Sequence, residues 1–181
     1  MNYWKITQAM MFAVEKHEGQ YRKGSECPYI HHPIEVGTII EEAGGTWQEI
    51  SAGILHDVIE DCDVTKSQIK KRFGSKIARY VDGVTEQDKS LPWQERKDAY
   101  IKRLLNAEPS VILVSAADKL HNLRSIEKDW EEIGEEIWDV FSVKKEKSLW
   151  FYESLLSVFK NSGSVPSEWI EEMEEIIDDI K

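Results

Sequence analysis

Cysteine, basic charge and long apolar runs are all scarce in this sequence, and each shortage removes a class of protein. Cys27 and Cys62 are the only cysteines. Their spacing makes neither a metal knuckle nor a redox pair, so a disulfide scaffold is excluded and reduced thiols in the cytoplasm are the simplest account. No apolar run approaches the roughly 20 residues that span a bilayer, and the N-terminus lacks the basic-then-apolar layout of a signal peptide. Lysine and arginine total 23 against 34 aspartates and glutamates, a formal net charge of -11. That balance argues against a nucleic-acid duplex as partner, because phosphate binding needs a basic surface. A small phosphorylated ligand stays open: a local knot of Lys and Arg plus a metal ion outweighs distant charge, which salt screens beyond about 10 Å. The chain has no internal repeat and no Gly-rich phosphate loop.

What is present reads as helices. A hydrophobic share of 41% with 31% charge places the chain among globular proteins, and 181 residues suffice for one full core. Ile6, Ala9, Met10, Ala13, Val14 and His17 follow i, i+3, i+4, i+7 spacing and predict an amphipathic helix near 3–17. His17 falls in its last turn, as a cap or a core histidine. The segment from Glu18 to Pro33 is a long loop, rich in Gly, Pro and charge yet holding two tyrosines and two histidines, a mixture that suits function. Within it, Arg22 and Lys23 are either solvated charges or a phosphate grip. Pro33 can open a helix at its first turn. His32 would then stand just ahead of a helix running to about Ala43, with Val36, Ile39, Ile40 and Ala43 facing inward.

Gly44-Gly45 breaks that helix, and Thr46-Trp47-Gln48-Glu49 reads as a capping box for another over 47–60. Thr65-Lys66-Ser67-Gln68 is a second such pattern, opening a short helix to Phe73 that Gly74 ends. Helices over 75–85 and 93–106 flank a polar linker containing Pro92. After Pro109, Val111 to Ala117 is hydrophobic all round, which predicts a central buried helix to about Trp130, with a strand over 111–115 as the rival. Further helices follow over 134–141, 144–160 and 166–180. Trp138, Phe141, Trp150, Phe151, Leu155, Leu156 and Phe159 read as core. The last helix is acidic on one side and apolar on the other, fit for a packed lid or a dimer contact. The expected division is a main domain over 1–161, with residues 162–181 as an acidic amphipathic helix packed on it.

The chemistry gathers in Ile54-Leu55-His56-Asp57-Val58-Ile59-Glu60-Asp61. On a helix, the imidazole and three carboxylates fall within an arc of roughly 140°. Such a cluster in an apolar helix is costly unless compensated, and a divalent cation would compensate it. A His-Asp pair by itself is commonly a surface hydrogen bond, so its company matters. Asp118 lies in the middle of the most apolar helix, with Asn122 one turn on. An unpaired buried Asp is strongly destabilising, so its partner is a Lys, an Arg or a metal. His32, the His56-Asp57 pair and Asp118 thus come from separate segments expected to pack together.

The order His…His-Asp…Asp resembles the HD-domain metal-dependent phosphohydrolases, whose fold is an all-α helical bundle. The likeness narrows with Arg22-Lys23, Pro28-Tyr29-Ile30-His31-His32-Pro33, His56-Asp57-Val58-Ile59-Glu60-Asp61, Phe73-Gly74, Val84-Thr85, Glu95-Arg96-Lys97 and Ala117-Asp118-Lys119-Leu120-His121-Asn122. These look like the hydrolase domain of the RelA/SpoT family, and among its members the stand-alone small alarmone hydrolases, metazoan SpoT homologues included. The resemblance runs from about residue 9 to 160. It implies a metal, usually manganese, held by His32, His56, Asp57 and Asp118. His32 is chosen over His31 because the family histidine directly precedes the proline. Two nitrogens and two carboxylate oxygens also suit iron, cobalt or zinc. It further implies that Glu60 and Asp61 position and deprotonate the attacking water. Arg22 and Lys23 would lie near the substrate's base and phosphates, Asn122 at its ribose and Lys97 on a phosphate. The implied reaction removes the 3′-pyrophosphate from guanosine tetra- or pentaphosphate. The segment Lys23 to Tyr29 and the interval Lys97 to Asp118 depart from the family in length, and both border the expected pocket. Two alternatives follow: a phosphatase acting on NADPH or another nucleotide, and a catalytically silent nucleotide-sensing module.

Overall fold

Local chemistry sets where the helices begin. In the computed structural model, which describes residues 1–181, both capping boxes form. The Glu49 amide donates to Thr46 Oγ1 at 3.4 Å, and the Thr46 amide donates to the Glu49 carboxylate at 2.7 Å. Thr65 and Gln68 repeat the pattern. Each cap satisfies amides that a first turn leaves unpaired, and losing one typically costs about 0.5–2 kcal/mol. Gly74 divides two helices at φ 97°, a conformation that a Cβ disfavours.

The elements are α1 (Tyr3–Lys16), α2 (His31–Glu42), α3 (Trp47–Leu55), α4 (Val58–Asp61), α5 (Lys66–Phe73), α6 (Ser75–Val84), α7 (Trp93–Leu104), α8 (Pro109–Ile133), a 3-10 turn (Gly134–Val140), α9 (Lys145–Ser162) and α10 (Ser167–Asp179). One isolated bridge pairs Tyr21 with Pro28 and there is no strand, so the fold is all-α. No helix is long and apolar enough to cross a membrane.

The hub is α8. Residues 111–115 are helical, and Val114, Ala116, Ala117, Leu120 and Leu123 are completely buried. Around it pack α2, α3, α6, α9, α10 and the 3-10 turn. Helices α2 and α3 approach so closely that their glycines matter. A Cβ on Gly37 would fall 2.5 Å from Ile54 Cγ1, and one on Gly53 would fall 2.6 Å from Ile40 Cδ1. This crossing sets the separation of His32, on α2, from His56, at the end of α3. Gly37→Val is therefore expected to destabilise the protein by about 1–3 kcal/mol through overpacking, seen as a lower urea midpoint at unchanged slope.

The structure departs from the sequence reading at several boundaries. Helix α2 starts at His31, so His32 lies inside its first turn rather than ahead of it. The helix expected over 47–60 breaks at His56-Asp57 into α3 and α4. Gly134–Val140 winds as a 3-10 turn. Val14 is 49% exposed, because α1 packs inward through Ile6, Ala9, Phe12 and Ala13 instead. Ala43 is exposed as the C-cap, beyond the last packed turn of α2. His17 is a core histidine at the end of α1, with Nδ1 2.7 Å from Gln20 Oε1. Trp138, Phe151, Leu155, Leu156 and Phe159 are buried, with Phe141 and Trp150 packed partly against them.

Candidate metal centre

The break between α3 and α4 builds the centre. In an unbroken helix the Gly53 carbonyl would accept from the Asp57 amide. Here it accepts from the His56 ring, Nδ1 to O at 2.6 Å. That bond places the His56 proton on Nδ1 and leaves Nε2 as a bare lone pair. His32 Nδ1 sits 2.8 Å from His121 Nδ1. Burial, then the neighbouring His32 and Arg22, lower the His121 pKa to about 3. One proton is shared between the two Nδ1 atoms, and with that proton on His32 the Nε2 of His32 is the nitrogen free to ligate.

Four side chains now converge. His32 Nε2 lies 3.2 Å from His56 Nε2, 3.2 Å from Asp118 Oδ1 and 3.7 Å from Asp57 Oδ2. His56 Nε2 lies 2.9 Å from Asp57 Oδ2 and 3.6 Å from Asp118 Oδ1. Neighbouring ligands on one ion, at bonds of about 2.1 Å, stand about 3.0–3.4 Å apart in octahedral or tetrahedral geometry. Two imidazole Nε2 atoms facing carboxylates at this range are satisfied by a positive charge between them, either a proton or a metal ion. Burial acts to depress the His56 pKa, yet the Asp57 and Asp118 carboxylates raise it well above 6.5. Burial acts to raise Asp118, yet Lys119 and His56 hold it well below the usual range. His56 likewise outweighs burial at Asp57, which is lowered. The donor set therefore fits a divalent cation. His32, His56 and Asp118 are all buried with their ligand atoms mutually within 4.8 Å, and Asp57 joins from the His56 side.

This centre floors a cleft of about 160 Å³, whose lining includes Glu60, Asp61, Lys97, Lys119 and Asn122. Burial pushes Glu60 above the ordinary carboxylate range, and the Glu86 amide, donating to its Oε2 at 3.1 Å, offsets only part of this. A carboxyl raised in this way is suited to exchanging protons with water. Lys97 pairs with Glu86, which also accepts from Arg96 at 2.8 Å. Asn122 donates to Asp118 Oδ1 at 2.6 Å and accepts from Arg22 at 3.1 Å, which ties Arg22 to the cleft. Lys23 is not brought in: it is exposed and makes no side-chain bond. Successive residues of an extended segment point to opposite sides, and the Tyr21–Pro28 bridge turns Arg22 inward.

Five contributors escaped the sequence reading as site residues. Tyr29 Oη donates to Asp57 Oδ2 at 2.6 Å, and burial, then the Asp57 charge, keeps it protonated. His121 orients His32, and Lys119 pairs with Asp118. Glu86 and Lys89 contact Glu60 and Asp61 from a linker. Tyr29, Lys119 and His121 stand within quoted motifs, so a signal existed. Glu86 and Lys89 carried none.

Comparison with known proteins identifies the family. Residues 9–143 match the HD domain family. The human guanosine-3′,5′-bis(diphosphate) 3′-pyrophosphohydrolase MESH1 is 39% identical over 127 residues, covering 68% of this chain and 70% of that one. The Aquifex aeolicus enzyme named guanosine-3′,5′-bis(diphosphate) 3′-pyrophosphohydrolase is 35% identical over 167 residues, covering 83% of this chain but 24% of its own length. A solved structure described as a metazoan orthologue of SpoT that hydrolyses ppGpp superposes with a TM-score of 0.80 at 29% identity, over 97% of this chain and 94% of that one. With the family match spanning most of the chain and its four ligand candidates, the protein belongs to the HD domain family and is a relative of the guanosine-3′,5′-bis(diphosphate) 3′-pyrophosphohydrolases.

Proposed function

We propose that this protein is a metal-dependent pyrophosphohydrolase that cleaves guanosine tetra- or pentaphosphate at the 3′ position, giving GDP or GTP plus pyrophosphate. The observation that carries this reading is a single cleft. It joins the His32, His56, Asp57 and Asp118 set to the raised carboxyl of Glu60 and the cations Lys97 and Lys119. The named relatives supply the nucleotide. The four side chains would hold the ion, with manganese as the metal assigned. When bound, such an ion supplies Lewis-acid stabilisation of phosphoryl charge. Glu60 takes the proton of the attacking water, and Asp61 beside it helps orient that water. Lys97 and Lys119 neutralise phosphates that a net charge of -11 would otherwise repel. Arg22 is assigned to the base and phosphates and Asn122 to the ribose, while Lys23 stays outside the cleft. Residues 1–161 form the catalytic domain in this reading. Helix α10 is packed on it through Trp169, Met173, Ile176 and Ile177. Both thiols are free, which suits a cytoplasmic enzyme.

Purified protein with manganese and guanosine tetraphosphate is expected to release GDP and pyrophosphate in equal amounts. Chelation should slow this, and added manganese should restore it. NADPH and ordinary nucleotides belong in the same panel. Turnover of one of them, with none of guanosine tetraphosphate, would replace the substrate assignment by a phosphatase reading. Binding of nucleotides with no turnover of any would replace it by a sensing role.

A further inference from the structure

The polar linker between α6 and α7 folds over the acid pair. The Glu86 amide donates to Glu60 Oε2 at 3.1 Å. Lys89 Nζ donates to Asp61 Oδ1 at 2.9 Å and to the Glu60 backbone carbonyl at 2.9 Å, and stands 3.6 Å from Glu60 Oε1. From the opposite direction, Gln20 Nε2 donates to the Asp61 carbonyl at 3.1 Å. These outside contacts are needed. Helix α4 is a single turn of 4 residues, and one turn does not hold itself in water. The direction of its two carboxylates is therefore set by what grips it.

We propose, on the functional reading above, that Lys89 is a positioning residue for the hydrolysis. Its ammonium clamps the Asp61 carboxylate and the end of α4, so that Glu60 and Asp61 face the same water. The Lys89 side chain is 50% exposed, and an ion pair at such a place adds little to stability. Its removal should thus show in the chemical step and not in folding.

The test compares Lys89→Met with Lys89→Arg on whichever nucleotide the wild type hydrolyses. K89M is expected to lower kcat about tenfold or more, as misaligned reacting groups do, with KM changed less than about twofold. K89R should recover most of the loss. Manganese affinity and the thermal midpoint should match wild type. Because Lys89 acts partly through Asp61, D61N/K89M should lose less than the product of the two single losses. An unchanged kcat in K89M, a loss confined to KM, a loss that follows weakened manganese binding, or additive effects in the double variant would each overturn the proposal. A wild type that ignores guanosine tetraphosphate but hydrolyses another nucleotide sinks only the substrate assignment. A wild type that hydrolyses none removes both.

Discussion

An Asp118→Asn protein is expected to lose turnover by about 10³-fold or more, since a Lewis acid contributes several kcal/mol to phosphoryl chemistry and about 1.4 kcal/mol is a factor of ten. Asparagine keeps the shape of the side chain and removes only its charge. Asp118 Oδ1 faces both His32 Nε2 and His56 Nε2, so the loss falls at the middle of the donor set. The buried Asp118 also pairs with Lys119, which is partly buried beside it. Breaking a buried pair by removing one partner costs about 3–5 kcal/mol, because the other charge remains unpaired. The variant should therefore bind manganese more weakly in calorimetry and unfold at lower denaturant. Wild-type manganese affinity in D118N would mean that the ion is held elsewhere.

Glu60→Gln should lower kcat by about 10²–10⁴-fold, the usual contribution of a positioned base, while manganese binding persists. The same change is expected to stabilise the protein at neutral pH. Burial raises the folded pKa of Glu60 above its ordinary 4.5. The protonated form is then favoured in the fold, and the stability it contributes below pH 4.5 is lost as pH rises through the folded value. At pH 7 the wild type carries the full cost of a half-buried carboxylate and the glutamine variant carries none. Urea midpoints should show E60Q ahead at pH 7, with the gap shrinking towards about pH 4. A slower enzyme that is also less stable at pH 7 would point to a structural role for Glu60.

Particular residues show how far the chain could be read directly. Thr46-Glu49 and Thr65-Gln68 announced their helix starts because a capping box closes within one turn. The run from Val111 to Ala117 announced its burial, and with it the problem of Asp118, because nothing apolar all round can face water. The break at His56-Asp57 was invisible. There the Gly53 carbonyl accepts from the His56 ring and the His56 amide rather than from the Asp57 amide, and helical spacing says nothing about that exchange. Arg22 and Lys23 looked alike as neighbours, and only a loop bridge turned one inward. Glu86 and Lys89 read as solvated linker until the fold laid them on Glu60 and Asp61.

By itself, the sequence determined the helices, the core and the kinds of donor available, because capping, periodicity and transfer from water act within a turn or two of chain. The tertiary structure alone decided which donors meet. The Gly37 and Gly53 crossing brings His32 towards His56, α8 carries Asp118 beneath both, and the outer contacts of Tyr29, His121 and Lys119 aim them. Those encounters join segments far apart in the chain, and packing, which no local pattern encodes, sets their distances.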